Sequence, residues 1–203
     1  RRFLETTAAF LAVAPALVRG RNLNSKLQFA SIGTGCKGYS DTAIMTNHGR
    51  AIHVAFCDVD LARIDKVKEL QPIAPVFQDY REMFETLGNN IDAVSVSTPD
   101  HMHAYISLDA MRRGKHVYCQ KPLTHTVWEA RQMALQVAKS KVITRLGNQI
   151  HSHTYYRTAV QTIREGKIGK VKRIHSWVNA AGHGRSGVIS RPKSTPSVPQ
   201  TLD

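Results

Sequence analysis

Cysteine is scarce in this sequence, since only Cys36, Cys57 and Cys119 occur in 203 residues. No two of them have CxxC spacing, and none stands at the distance from a histidine that is typical of zinc sites, so we expect no metal site. An odd number of cysteines also provides no disulfide framework. We therefore interpret all three side chains as free thiols.

Long apolar runs are also missing. An alanine-rich apolar stretch over residues 8–18 is well short of the roughly twenty residues that a membrane-spanning helix requires. It follows Arg1 and Arg2 and contains Ala14-Pro15-Ala16, a small-x-small pattern typical of cleavage sites. The arrangement resembles a twin-arginine export signal. We predict that residues 1–22 are the remnant of such a signal and that the protein is periplasmic or exported; a leader that does not function would leave it cytoplasmic.

Acidic residues are few, with 15 Asp and Glu against 28 Lys and Arg and a net charge of +13. The excess lies at the two ends of the chain, because residues 22–156 carry fifteen basic and twelve acidic side chains. Aromatic residues make up only 7% of the sequence and do not interleave with a basic stripe. The pattern typical of a nucleic-acid-binding face is therefore absent, and we expect no nucleic-acid partner.

What the sequence does contain is a regular alternation of short apolar runs and segments with helical periodicity. Strands are predicted over residues 27–32, 52–57, 75–77, 91–97, 115–119 and 142–146. Helices are predicted over residues 39–48, 61–70, 80–87, 103–113 and 126–140. Asp79 fits a helix N-cap, and Thr126 with Glu129 fits a capping box. This alternation predicts a doubly wound parallel sheet, an α/β fold that binds ligands at the carboxyl ends of its strands.

The first predicted strand runs directly into the glycine-rich turn Gly33-Thr34-Gly35-Cys36-Lys37-Gly38. In this GxGxxG pattern, Gly33 permits a tight turn, Gly35 lets a pyrophosphate approach the backbone, and Gly38 lets the next helix lie close to the sheet. The N-terminus of that helix offers unpaired N–H groups to the phosphates. Asp58, at the end of the second strand, is placed to accept hydrogen bonds from the adenosine ribose and to repel a 2′-phosphate. The motif predicts a Rossmann-type domain that binds NAD in preference to NADP.

Two further loops carry polar residues at strand ends. The fourth strand leads into Ser97-Thr98-Pro99-Asp100-His101-Met102-His103, in which Pro99 directs the chain out of the sheet. The fifth leads into Cys119-Gln120-Lys121-Pro122-Leu123. The proline that follows Lys121 restricts the backbone, so this lysine is expected to be held in a fixed position. There it could donate to a substrate oxygen and stabilise charge on it. The alternative is a solvated surface lysine.

The pattern changes after Gly147. A helix is predicted over residues 155–163, residues 171–178 alternate like a strand with one exposed face, and residues 182–203 are rich in Gly, Ser and Pro. We expect this last segment to be poorly ordered. We therefore predict an NAD-binding domain over residues 23–147 and the incomplete start of an α/β substrate domain over residues 148–203.

The segments GTGCKG, CDVD, STPDHMH, GKHVYCQKPL and LGNQ resemble, in order and spacing, those of the glucose–fructose oxidoreductase/inositol dehydrogenase/rhizopine-catabolism (Gfo/Idh/MocA) family over about residues 27–178. The resemblance implies a Rossmann domain followed by a domain with a large open sheet, through which the full-length protein would form a homo-oligomer. It also implies hydride transfer between a nicotinamide cofactor and a sugar or polyol. The Lys121–Pro122 bond is expected to be cis.

The same resemblance implies roles for individual residues. Lys121 would contact the reacting hydroxyl, and His103 would lie beside the nicotinamide ribose, so these two are the expected catalytic residues. The expected cofactor-binding residues are Gly33, Thr34, Gly35, Cys36, Lys37, Gly38, Asp58, Thr98, Pro99, His103, Gln120 and Lys121.

Two departures from the family pattern qualify these expectations. The family usually has Glu before Lys-Pro, whereas this chain has Gln120, which carries no charge. The family's catalytic histidine would fall beyond Asp203. We therefore expect this chain alone to bind NAD without turnover; turnover would point to a base among His101, His103, His151 and His153. Two other functions stay open, namely a redox-neutral NAD-dependent glycosidase or epimerase and a non-catalytic nucleotide-binding fragment.

Overall fold

The computed structural model describes residues 26–177 and 197–202. The predicted export signal and most of the segment over residues 182–203 lie outside the described residues. Those that are described divide into two compact units, one formed by residues 26–147 and 200–202 and the other by residues 148–177 and 197–199. None of the helices in these ranges has the length and apolar character needed to cross a membrane.

The first unit contains a six-stranded sheet in which every paired strand is parallel, with the order β3-β2-β1-β4-β5-β6. The strands are β1 (Leu27–Ile32), β2 (Ala51–Cys57), β3 (Val76–Phe77), β4 (Ala93–Val96), β5 (His116–Gln120) and β6 (Thr144–Gly147). The helices that connect them are α1 (Lys37–Asn47), α2 (Asp65–Leu70), α3 (Tyr80–Leu87), α4 (His103–Arg112) and α5 (Val127–Ser140). This is the doubly wound parallel sheet that the alternation predicts, with each strand within three residues of its expected bounds.

The core lies on both faces of the central strands. All four residues of β4 are buried, as expected for a parallel strand that helices cover on both sides. The largest fully buried apolar side chains are Phe56, Phe84, Met83, Ile91, Ile106 and Met111. Of the three thiols, all free, Cys57 and Cys119 are buried and Cys36 is exposed. Burial raises the pKa of Cys119 to about 11, so this thiol stays protonated at neutral pH.

Two helix N-termini begin where the sequence places them. The Asp79 carboxylate accepts a hydrogen bond from the Arg81 N–H at 2.8 Å. Thr126 and Glu129 form the reciprocal capping box, each side chain accepting from the other residue's backbone N–H. The helix predicted over residues 61–70 is instead divided into a 3₁₀ turn, Leu61–Arg63, and α2.

The second unit contains α6 (Thr154–Arg164), which the sequence predicts. The strand predicted over residues 171–178 is wrong, because residues 171–177 have no regular secondary structure and Trp177 is 86% exposed. A strand needs a neighbour to satisfy its backbone groups, and the described part of this unit provides no partner strand. Alternation of apolar and polar residues was therefore not sufficient to form one.

His53 on β2 is a buried histidine that burial keeps neutral, with its pKa lowered to about 4. Thr46 Oγ1 donates to the Thr42 carbonyl at 2.8 Å, so it accepts from His53 Nδ1 at 3.1 Å. His53 Nε2 is buried without a hydrogen-bond partner among the described residues. Protonation would therefore place an unsatisfied N–H and a positive charge in the core.

Stability is expected to depend on pH through His53. The folded-state pKa lies below the value of about 6.5 for an exposed histidine, so the unfolded chain takes up the proton first as the pH falls. Above about pH 6.5 His53 is neutral in both states and does not lower the free energy of unfolding. Between pH 6.5 and 5 we expect that free energy to fall by about 1–2 kcal/mol. Urea unfolding at several pH values measures it. His53→Phe should remove this dependence of the unfolding free energy on pH, and His48→Asn should keep it. Equal pH dependence in the parent and both variants would contradict the assignment to His53.

Candidate functional site

The loops that carry the predicted site residues meet at one edge of the sheet. β1 lies between β2 and β4, so the strand order reverses beside its carboxyl end. A crevice at this switch point is where doubly wound sheets bind ligands. The glycine turn follows β1, the loop containing Thr98 follows β4, and the loop containing Lys121 follows β5.

The three motif glycines occupy positions where a larger residue does not fit. Gly33 has φ +81°, and a Cβ there would lie 2.6 Å from the Ser97 carbonyl carbon. A Cβ on Gly38 would overlap the Gly33 carbonyl oxygen, so α1 lies directly against the turn. Gly35 differs, because its Cβ would meet the Arg63 side chain, with 2.7 Å to Nη1. Arg63 therefore lies across the glycine at which a pyrophosphate is expected to approach.

Asp58 is buried beside the turn, with 8% of its surface exposed. Its Oδ2 accepts from the Thr34 N–H at 2.7 Å and from Thr34 Oγ1 at 3.2 Å, and its Oδ1 accepts from the Asp60 N–H at 3.1 Å. The carboxylate thus fixes the shape of the turn. Because each carboxylate oxygen can accept two hydrogen bonds, Oδ1 retains capacity for one more donor.

His103 is buried at the start of α4, with 1% of its surface exposed. Its Nε2 lies 2.8 Å from the Thr98 carbonyl oxygen and its Nδ1 lies 2.5 Å from the Pro122 carbonyl oxygen. The ring therefore connects the loop after β4 with the loop after β5. His101, by contrast, is exposed. The contact of His103 with a nicotinamide ribose stays a prediction, because backbone carbonyls face both of its ring nitrogens.

Two unpartnered hydroxyl groups lie on the loop after β4, which also provides the carbonyl oxygen that His103 contacts. Ser97 Oγ and Thr98 Oγ1 are buried and have no hydrogen-bond partner among the residues that the structure describes. Buried hydroxyls are usually paired, so these two at the strand end lack the partner that such groups normally have. Pro99 is exposed and precedes the 3₁₀ turn Asp100–Met102.

Lys121 is exposed at the end of β5, and the Lys121–Pro122 bond is cis, as predicted. Gln120 before it is buried, and its Nε2 donates to the Asp41 carboxylate on α1. The same carboxylate pairs with Lys37 of the glycine turn. Gln120 Oε1 also accepts from the Lys121 N–H at 3.3 Å. The residues after β1 and after β5 are thereby connected through side chains.

Sequence reasoning missed Asp41 and Arg63. Asp41 looks like an ordinary polar residue of a surface helix, and only the tertiary structure shows that it is 5% exposed and faces β5. Arg63 follows Asp58 by five residues and gave no periodic signal. His151 and His153, considered as bases, are exposed residues of the second unit, where they contact the rings of Tyr156 and Tyr155. No group of three potential metal ligands occurs within residues 26–177 and 197–202.

Known protein families identify the fold and the cofactor class of this chain. The model of the GFO_IDH_MocA family, described as "Oxidoreductase family, NAD-binding Rossmann fold", matches residues 27–148. The chain belongs to this oxidoreductase family. The resemblance read from the motifs is confirmed, and NAD is the cofactor class of the family.

Individual proteins that this chain resembles include a reductase, a glycosyl hydrolase and a dehydrogenase by name. The 1,5-anhydro-D-fructose reductase of Ensifer adhaerens is 32% identical over 54% of this chain and 34% of its own length. Glycosyl hydrolase family 109 protein 1 of a Shewanella strain is 27% identical over 69% of this chain and 32% of its own. The crystal structure of scyllo-inositol dehydrogenase from Lactobacillus casei with bound cofactor NAD(H) and scyllo-inositol matches with TM-score 0.66 and 25% identity, over 71% of this chain and 43% of that one. The chain thus spans about a third of the curated relatives.

Proposed function

We propose that residues 27–147 bind NAD and form the cofactor-binding part of an oxidoreductase that transfers hydride between NAD and a hydroxyl of a sugar or polyol. The observation that carries the proposal is the glycine turn closed around Gly33 and Gly38, with the buried Asp58 carboxylate beside it. When bound, NAD supplies the hydride acceptor. The relatives named for reduction or oxidation of sugars and inositols support the substrate class.

The described residues fit a dinucleotide. The glycines bring the N-terminus of α1 close to the end of β1, and helix N-termini favour phosphates. The flexible Arg63 side chain, which lies over Gly35, has to move aside for a pyrophosphate to reach that glycine. The remaining acceptor capacity of Asp58 suits ribose hydroxyls, and its charge opposes a 2′-phosphate. Beside the glycine turn, the hydroxyls of Ser97 and Thr98, which have no partner among the described residues, can bind a polar group of the dinucleotide.

Lys121 and His103 have different tasks in this proposal. The exposed ammonium of Lys121 donates a hydrogen bond to the reacting oxygen and stabilises negative charge that develops there. His103, enclosed by the Thr98 and Pro122 carbonyls, holds the two loops at a fixed separation. The lysine then acts on substrate, and the histidine keeps the lysine loop in place.

A redox-neutral glycosidase is the second candidate. The presence of a glycosyl hydrolase among the relatives supports it. The two candidates share the cofactor site and differ in the fate of the hydride. In the full-length protein, NADH formation with sugars or inositols, followed at 340 nm, would identify the dehydrogenase. Glycoside cleavage that requires NAD without consuming it would identify the glycosidase.

Calorimetric titration of the 203-residue chain tests cofactor binding directly. We expect a micromolar Kd for NAD and binding of NADP that is at least about tenfold weaker, because Asp58 would face the 2′-phosphate. ADP-ribose should compete with NAD, since most of the described contacts address the ADP portion, whereas nicotinamide mononucleotide alone should bind weakly. A folded chain that binds neither dinucleotide would contradict the proposed function.

A further inference from the structure

We infer that Asp41 is a positioning residue for the Lys121 loop. Asp41 on α1 carries the negative charge and accepts a hydrogen bond, and the neutral Gln120 on β5 donates it. For its effect on cofactor binding, this inference rests on the proposed function.

The pair is enclosed, with Asp41 5% and Gln120 4% exposed. Gln120 Nε2 donates to Asp41 Oδ2, while Asp41 Oδ1 accepts from Lys37 Nζ. An ionised carboxylate only accepts hydrogen bonds, so the amide nitrogen of Gln120 must face it. The amide oxygen then faces the Lys121 N–H at 3.3 Å. Both ends of this amide therefore have separate partners.

Gln120 has little room for another arrangement. A Cβ on Gly147, at the end of β6, would lie 2.7 Å from Gln120 Cδ, 2.8 Å from Nε2 and 2.9 Å from Oε1. The terminal amide of Gln120 thus packs directly against Gly147 while its Nε2 donates to Asp41. Close packing at Gly147 favours this position of the amide, which faces the Asp41 carboxylate.

A glutamate at position 120 would place two carboxylates within hydrogen-bonding distance of each other. Such a pair shares one proton, which raises one of the two pKa values. Lys37, Tyr118 and Arg145 are the other charged or titratable groups nearby. Burial raises the pKa of Tyr118 and the negative charge of Asp41 raises it further, so the field of Asp41 extends along β5. Among the described residues, Lys37 forms an ion pair with Asp41, and one ammonium group cannot neutralise a second acid.

Exchanging the two groups tests the inference. Gln120→Glu should weaken NAD binding about tenfold at pH 7.5 and lower the thermal midpoint measured without NAD. Both differences, taken against the parent at the same pH so that the effect of His53 cancels, should shrink at pH 5.5, where the carboxylates share a proton. The double variant Asp41→Asn/Gln120→Glu, which relocates the charge, should return both values to within about twofold in Kd and a few degrees in midpoint of the parent. Gln132→Glu on α5 is the control for an added charge and should match the parent.

The outcomes separate the two proposals. If the parent binds no NAD, the proposed function fails, and the thermal midpoints still decide whether the pair exists. A Gln120→Glu variant equal to the parent, or a double variant no better than the single one, would overturn the pair. Recovery of the midpoint without recovery of NAD affinity would overturn the positioning role.

Discussion

Gly38→Ala is expected to remove NAD binding, with a loss of at least about a hundredfold in affinity. The new Cβ would overlap the Gly33 carbonyl oxygen and lie 2.8 Å from the Gly33 carbonyl carbon. Gly33 cannot retreat, because its N–H donates to the Cys57 carbonyl at 2.8 Å and its own α-carbon faces the Ser97 backbone. The helix α1 must therefore move away from the sheet, which withdraws its N-terminus from the phosphates. We also expect a destabilisation of about 1–3 kcal/mol from the forced overlap.

Two other glycines provide matched controls. Gly49→Ala adds a Cβ in open space at φ +72°, so it should cost about 1 kcal/mol of strain and leave NAD affinity unchanged. Gly35→Ala meets the far end of the flexible Arg63 side chain, so its effect on folding should be smaller than that of Gly38→Ala. Circular dichroism establishes that each variant is folded before calorimetry. A folded Gly38→Ala variant with the affinity of the parent would refute the close approach of α1 to the turn.

The elements of the Rossmann unit could be predicted because their signals are local. Apolar runs bounded by turn residues gave all six strands, and the positions of Asp79 and Thr126 gave two helix starts. The glycine turn was recognisable for the same reason, since one strand end and one helix start contain it. Local sequence patterns do not suffice to predict an element that needs a neighbouring strand to pair with. Residues 171–178 alternate like a strand, yet the described residues 171–177 have no neighbouring strand to pair with.

The interior of the site could not be predicted, because its contacts join distant parts of the chain. Asp41 and Gln120 are 79 residues apart, and no periodicity indicates that this aspartate faces the sheet and not solvent. The burial of His103 between two carbonyls depends on the path of the Lys121–Pro122 loop, which packing determines. Residue types therefore predicted the site's members, whereas their hydrogen-bond partners required the fold.

Asp58→Ala is expected to weaken NAD binding about ten- to hundredfold, because a charge-assisted hydrogen bond is typically worth about 1.5–3 kcal/mol. The preference for NAD over NADP should shrink as well, since the negative charge that opposes the 2′-phosphate is gone. Arg63, whose side chain lies over Gly35 and pairs with Asp60, could then contact that phosphate. Calorimetry with both dinucleotides measures the two effects.

The difficulty in interpreting Asp58→Ala is that Asp58 also shapes the turn, through its bonds from the Thr34 N–H and hydroxyl. Thr34→Val separates the two roles, because it removes the hydroxyl bond, keeps the backbone bond and preserves the volume of this fully buried side chain. If Asp58 binds ribose, Thr34→Val should lose less than about fivefold in NAD affinity, and its preference over NADP should persist. Equal losses in both variants would mean that Asp58 acts on the turn alone. An Asp58→Ala variant that binds NAD as tightly as the parent would exclude the ribose contact, since a buried carboxylate bonded to the sugar cannot be removed without cost.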